Sequence, residues 1–259
     1  MPAAVFFYHR VANTYPNTWT ISQRQFANHL RSLQSCSEVV SLAEIQRTQR
    51  DGQRSRLQTA ITFDDGYEDN CHWALPELVA RRLPVTYFVS TSFVESGESF
   101  PHDRAAGLPL RPNSVEQIRQ WAEAGVEIGG HTHSHLDLGK DHPRSVLRRE
   151  ILDSRHRLQD WTGQPIRFFA FPYGLVENIS QAAIDVVVEA GFEGFVSAYG
   201  AYNWAGEDGY HLQRIHGDPE LSRFLNWLTL DPGKFHARSP LQYQFPPKRI
   251  QQDQPLHVQ

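Results

Sequence analysis

"AITFDDGYED", residues 60–69, sets two adjacent carboxylates and a glycine directly after a short apolar run. The run reads as a buried strand, and Gly66 permits a sharp turn with close backbone approach. Adjacent side chains at a strand end point in different directions, so Asp64 and Asp65 can do different work. One can bind a cation while the other stays free to take a proton. Taken alone, the stretch also describes an ordinary Asp-Gly turn between a strand and a helix, with Asp65 or a neighbour as the cap.

A second strand end tips the balance toward chemistry. "VEIGGHTHSH", residues 126–135, brings histidines at i, i+2 and i+4. Imidazole is the commonest zinc-type ligand and a carboxylate can complete the set. If the chain turns helically after the strand, His131 and His135 share a face without His133; if it stays extended, all three do. Asp65 with two histidines gives three protein ligands and leaves a position for water, the layout of a catalytic metal site. A third strand end, "FFAFPYG" (168–174), can present a backbone N–H to a developing oxyanion, or simply turn the chain.

Other apolar runs, "AVFFY", "PVTYFV", "FEGFVS" and "HLQRI", bring the expected strands to about seven. Helical patterns lie between them. One starts at Ser22 with Gln25 as a capping box and buries Phe26, Leu30 and Leu33; another starts at Ser41 with Glu44. Others run over 68–82 and from near Ser114, Pro143, Ser180 and Pro219. This alternation predicts a single α/β domain over 1–236, a distorted or partial barrel of parallel strands, with a doubly wound open sheet as the runner-up. Residues 92–113 read as a long irregular insertion, either a lid or rim or a variable surface loop. The Pro- and Gln-rich 237–259 read as a poorly ordered tail.

Composition removes whole classes of function. The chain has 259 residues, 25 basic and 29 acidic side chains and a net charge of −4, which gives no broad attraction to nucleic acid or anionic lipid. Cys36 and Cys71 form no CxxC. No stretch approaches the ~20 apolar residues of a membrane span. The opening run lacks the basic start of a signal peptide, so a cytoplasmic location is expected.

In order and position, these strand ends resemble the polysaccharide deacetylases, the NodB-like carbohydrate esterases. "TFDDG" (62–66), "HTHSH" (131–135) and "PYG" (172–174) resemble three motifs of that family, and the resemblance spans roughly residues 5–216. It implies a metal-dependent hydrolase that removes N-acetyl, or O-acetyl, groups from an acetylated oligo- or polysaccharide. Asp64 would be the catalytic base. Asp65, His131 and His135 would hold one divalent ion, zinc first, with cobalt, nickel or manganese as alternatives. Pro172 and Tyr173 fall on the substrate side, with the Tyr173 N–H on the oxyanion. The family's third motif carries an Arg that orients the base, and here that position is Ala170. Arg214, grouped with the substrate-side residues, is the candidate to replace it. "VFFYHRV" resembles a permuted branch, similar to poly-N-acetylglucosamine deacetylases, in which the last motif moves to the N-terminus. His9 would then be the general acid, ahead of His216 in "RIHGD". Trp19, Tyr202, Trp204 and the 92–113 segment are candidate sugar contacts. Two alternatives stand beside this reading: an amidohydrolase using the HxH of His131 and His133, and a carbohydrate-binding homologue with a decayed site.

Overall fold

Both faces of the first strand, β1 (Ala3–Tyr8), are covered: all six of its residues are buried. So are all six of β2 (Gln58–Phe63). Strands buried on both sides belong to parallel sheets wrapped by other structure. The structure, a computed structural model, describes residues 1–52 and 55–244. Six more strands complete the sheet: β3 (Val85–Val89), β4 (Glu127–Gly130), β5 (Phe168–Ala170), β6 (Gly194–Val196), β7 (His211–Leu212) and β8 (Arg214–His216). Each pairs in parallel, in the order β7-β6-β5-β4-β3-β2-β1-β8, and Glu38–Val39 adds to one end of β2.

Only Gln213 separates β7 from β8. One stretch of chain therefore pairs with β6 through His211–Leu212 and with β1 through Arg214–His216, and the sheet nearly closes. The expected α/β barrel is the observed fold. Eight strands stand where about seven were expected, because "HLQRI" changes partner midway. Asn203 secures the change. Its amide accepts from Gln213 N at 2.8 Å and donates to Gln213 O at 2.9 Å, while its own N–H and C=O pair with Ala3.

The pleat sorts side chains between two cores. Ala3, Val5, Ala60, Phe88, Phe168, Ala170 and Val196 meet in the narrow barrel interior, with Leu42 and Ile45 of the helix Leu42–Asp51 packed against them. Gly129 has no side chain because a Cβ there would lie 2.3 Å from the Phe88 ring. Ala4, Phe6, Tyr8, Ile61, Phe63 and Tyr87 face outward into a larger cluster under the helices. The helix Gln23–Cys36 forms with the expected Ser22–Gln25 capping box and buries Phe26, Leu30 and Leu33, each contributing about 1.5–3 kcal/mol. Ser41, Ser114 and Ser180 also cap helices with their side chains.

Two expectations change. The helix over 68–82 is two helices, Asp69–His72 and Ala74–Ala80, broken at Trp73 (φ −148°). Pro76 has no N–H to continue the first helix, so it suits the first turn of a second. The 92–113 segment is not irregular. It contains the helices Thr91–Ser96 and Pro101–Ala105, and Phe100 and Leu110 pack with Tyr67 in a small core of their own. Of the expected tail, residues 245–259 lie outside the described residues. Within 237–244, Leu241 and Tyr243 pack against the large core. No helix among the described residues is long and apolar enough to cross a membrane.

Candidate active site

The Asp64–Asp65 pair is divided by a three-residue turn. Asp64 N–H donates to Tyr8 O at 2.9 Å, extending the β1–β2 ladder. Gly66 N–H then bonds back to Asp64 O at 2.9 Å, with Asp65 at φ +73°. Asp64 keeps the inward parity of Ala60 and Thr62 and points along the barrel axis. There it meets Arg214 in a two-bond fork: Nη1 to Oδ1 at 2.6 Å and Nη2 to Oδ2 at 2.8 Å. Arg214 is wholly buried. It also donates to Ser197 O (2.7 Å) and Thr62 Oγ1 (3.2 Å), with its guanidinium carbon 4.9 Å from the Phe7 ring centre and 5.6 Å from that of Phe88. Burial pushes the Asp64 carboxyl up, but the Arg214 charge and fork outweigh it and hold it below its ordinary value. Arg214 therefore faces the carboxylate from beneath and does not line the cleft, so its grouping with substrate-side residues does not fit its position.

Asp65 turns sideways to the histidine loop. His131 follows β4, and its Nδ1 lies 2.8 Å from Ala170 O. A carbonyl only accepts, so Nδ1 carries a proton, and when the ring is neutral its lone pair is on Nε2. That lone pair faces Asp65 Oδ1 at 3.4 Å, and His135 Nε2 faces the same oxygen at 3.3 Å. Oδ1 is buried without a hydrogen bond. Ligand atoms of Asp65, His131 and His135 all lie within 4.8 Å of one another, the one such group among the described residues. A buried carboxylate oxygen and an imidazole lone pair face to face are two acceptors with nothing between them to share, and a divalent cation fits that donor set. His133 is turned elsewhere, with Nδ1 2.9 Å from Thr91 Oγ1. This separates it from the ligand group and removes the geometric basis of the HxH alternative.

Glu150 holds the loop from behind and was not anticipated. Buried in the π-helical turn Arg149–Asp153, it accepts from Ser134 N at 2.8 Å and Ser134 Oγ at 2.9 Å, between His133 and His135. The Arg-rich stretch around it reads as a solvated face, which hides an inward-facing Glu. Among the described residues, eight other than glycine have positive φ, and four of them, Asp65, Thr132, His135 and Tyr173, are in these turns. Such backbone is costly, and it gathers where orientation matters.

A cavity of about 630 Å³ opens over Asp64, Asp65, His131 and His135. His9 lines it; His216 does not. The His9 ring lies 4.7 Å from Trp19, and Asn70 Nδ2 holds its backbone O at 2.7 Å. Burial lowers the His9 pKa, against the opposing pull of Asp65 and Asp64. Burial also takes His216 down to about 4. Tyr173 borders the cavity 5.0 Å from the His135 ring. Gly174 N–H bonds to Pro172 O at 2.7 Å, and the Tyr173 N–H has no partner among the described residues. Pro172 thus shapes the turn and does not itself line the cleft. Of the expected sugar contacts, Trp19 is in the cleft, while Trp204 bonds to Phe235 O and Tyr202 to Trp227 O elsewhere. The opposite wall, Leu175, Ala198 and Tyr199, comes from loops with no motif in sequence.

Comparison with known proteins bears on this arrangement. Residues 51–195 match the family model described as polysaccharide deacetylase. YxkH of Bacillus subtilis (strain 168) is 24% identical over 221 residues, covering 84% of this chain and 72% of the relative. A poly-beta-1,6-N-acetyl-D-glucosamine N-deacetylase of Staphylococcus aureus (strain MRSA252) is 24% identical over 182 residues. The match takes in 67% of this chain and spans 60% of that relative's length. In fold, the chain is similar to the Streptococcus pyogenes deacetylase PplD, solved in complex with acetate: TM-score 0.74, 19% identity, 90% of this chain and 99% of the other.

Proposed function

We propose, from the premise that this chain belongs to the polysaccharide deacetylase family, that it hydrolyses the acetamide of an N-acetylated sugar within an oligo- or polysaccharide, with a divalent cation on Asp65, His131 and His135. One observation carries the reading. A buried, unpartnered Asp65 oxygen sits between two imidazole nitrogens, beside a second carboxylate already neutralised by Arg214.

A cation held there, zinc by ligand type with cobalt, nickel or manganese as alternatives, would supply Lewis-acid polarisation of the amide carbonyl and lower the pKa of water toward ~7. Asp64, kept ionised by Arg214, accepts the proton of the attacking water through a lone pair that the guanidinium leaves open. The free Tyr173 N–H donates to the oxyanion as the carbonyl carbon becomes tetrahedral. An amine leaves poorly unless protonated, and His9, on the same cavity, delivers that proton to nitrogen. Its lowered pKa makes it a ready donor once charged. The carbon–nitrogen bond then breaks to give acetate and a free amino sugar. Acid and base are each typically worth ~100 to 10,000-fold. Acetate release from chitooligosaccharides and other acetylated glycans, with and without chelator, tests the reading. Release that chelator abolishes and added zinc restores is expected. Release indifferent to chelator would overturn the metal assignment, and no release from any acetylated glycan would overturn the substrate class.

A further inference from the structure

His102, in the helix Pro101–Ala105, borders the same cavity as His9, Asp64 and Asp65, and the mechanism above does not use it. Asp103 lies behind it. That carboxylate is 1% exposed and has no Lys or Arg partner among the described residues. Asn17 Nδ2 meets one oxygen at 3.0 Å and Tyr67 Oη meets the other at 2.7 Å. His102 Nε2 is 3.0 Å from Tyr67 Oη and 3.5 Å from Asp103 Oδ2.

The proton positions follow from donor arithmetic. An ionised carboxylate can only accept, so Tyr67 spends its single hydroxyl proton on Asp103. The contact between Tyr67 Oη and His102 Nε2 then has one polarity: Nε2–H donates to the phenol oxygen. The neutral ring is left with its lone pair on Nδ1. Tyr67 is fully buried and directly follows Gly66, so this network grows from the same turn that presents Asp65. Phe100 ties the two further, with its ring 5.7 Å from His102 and 6.0 Å from His135. A buried carboxylate without a cation is a costly way to brace a helix of five residues. It is well suited to fixing the tautomer and orientation of a half-exposed imidazole.

We infer that His102 is a substrate-binding residue, whose Nδ1 accepts a hydrogen bond from a hydroxyl of the acetylated sugar, with Tyr67 and Asp103 as the positioning residues that set its tautomer. The inference rests on the deacetylase reading and adds to it a polar contact from the 92–113 segment.

Steady-state kinetics on N-acetylglucosamine oligomers tests it in the zinc-loaded protein. His102→Phe fills the space without an acceptor, and KM should rise about tenfold with kcat held within about threefold and metal content unchanged. His102→Gln can donate to Tyr67 and still accept from a hydroxyl, so its KM should stay within about threefold of wild type. An unchanged KM in His102→Phe overturns the inference, as does a fall in kcat alone or a His102→Gln no better than His102→Phe. These results leave the deacetylase reading standing if wild type is active. A wild type inactive on every acetylated oligomer overturns both.

Discussion

The barrel axis and the cleft floor treat two neighbouring carboxylates in opposite ways. On the axis, Asp64 and Arg214 balance each other completely: one charge of each sign, two short bonds, and further acceptors for the guanidinium. On the floor, Asp65 faces the Nε2 atoms of two imidazoles, and one of its oxygens is buried without a hydrogen bond. The axis is finished by the chain alone. The floor becomes balanced only with a cation or protons. A site that must keep a base charged while gripping a metal needs this division, because a metal ligand shared with Arg214 would lose its charge to the guanidinium.

The largest expected effects come from removing each role in turn. His135→Ala should lower metal affinity by at least ~100-fold and take turnover to background, read by metal titration and acetate release. Asp64→Asn should cut turnover by ~100 to 10,000-fold while metal binds as in wild type. If Asp64→Asn also released the metal, the division between axis and floor would fail. Next is Arg214→Met, which strands a buried carboxylate. Unfolding free energy at neutral pH should fall by about 3–5 kcal/mol in denaturant titrations. Part of that loss should return as pH is lowered, since protonation discharges Asp64. Wild type behaves oppositely: its depressed Asp64 pKa contributes stability above the unfolded value, lost as pH falls through the folded one.

The floor was far more legible in sequence than the axis, for a physical reason. Asp65, His131 and His135 sit in short local motifs, where residue type and spacing already state the chemistry. Arg214 sits 150 residues from Asp64, and only the closing of the barrel through the β7–β8 seam brings them together. It could be suspected from the Ala at 170, but its burial and fork could not be read. Glu150, His102 and Tyr199 were missed on the same ground, since each reaches the site through packing between segments that carry no motif of their own. The strands were readable because burial on both faces makes them continuous apolar runs. The 92–113 segment was misread because its apolar residues, Phe93, Phe100, Leu108 and Leu110, follow no single period.

A smaller effect separates two histidines at the ends of adjacent strands. β1 and β8 pair side by side, and the Phe7 ring lies 5.7 Å from His9 and 5.1 Å from His216. Only His9 reaches the cavity. His9→Ala should slow turnover about 100-fold, and His216→Ala should leave it within about threefold. The reverse result would move the general acid to the seam strand and undo the permuted assignment.

The smallest effect asks whether the axis is as closed as its geometry says. If Asp64 and Arg214 are balanced, stability between pH 6.5 and 4 should depend on other buried groups. His29 is one: it is fully buried on the helix Gln23–Cys36, stacked 3.7 Å from Phe224, with Nδ1 3.0 Å from Tyr8 Oη and Nε2 without a partner. Burial lowers its pKa to about 4, with Asp218 opposing and His216 assisting. In that window the unfolded chain binds a proton at His29 and the folded chain does not. Stability therefore drops as pH falls from about 6.5 toward about 4, by up to ~1.4 kcal/mol per pH unit for one proton. His211 and His216, also lowered to about 4, give slopes of the same sign. In metal-free protein, His29→Gln should flatten the dependence by at most one proton's worth without abolishing it. A variant whose slope matched wild type would place the acid sensitivity elsewhere.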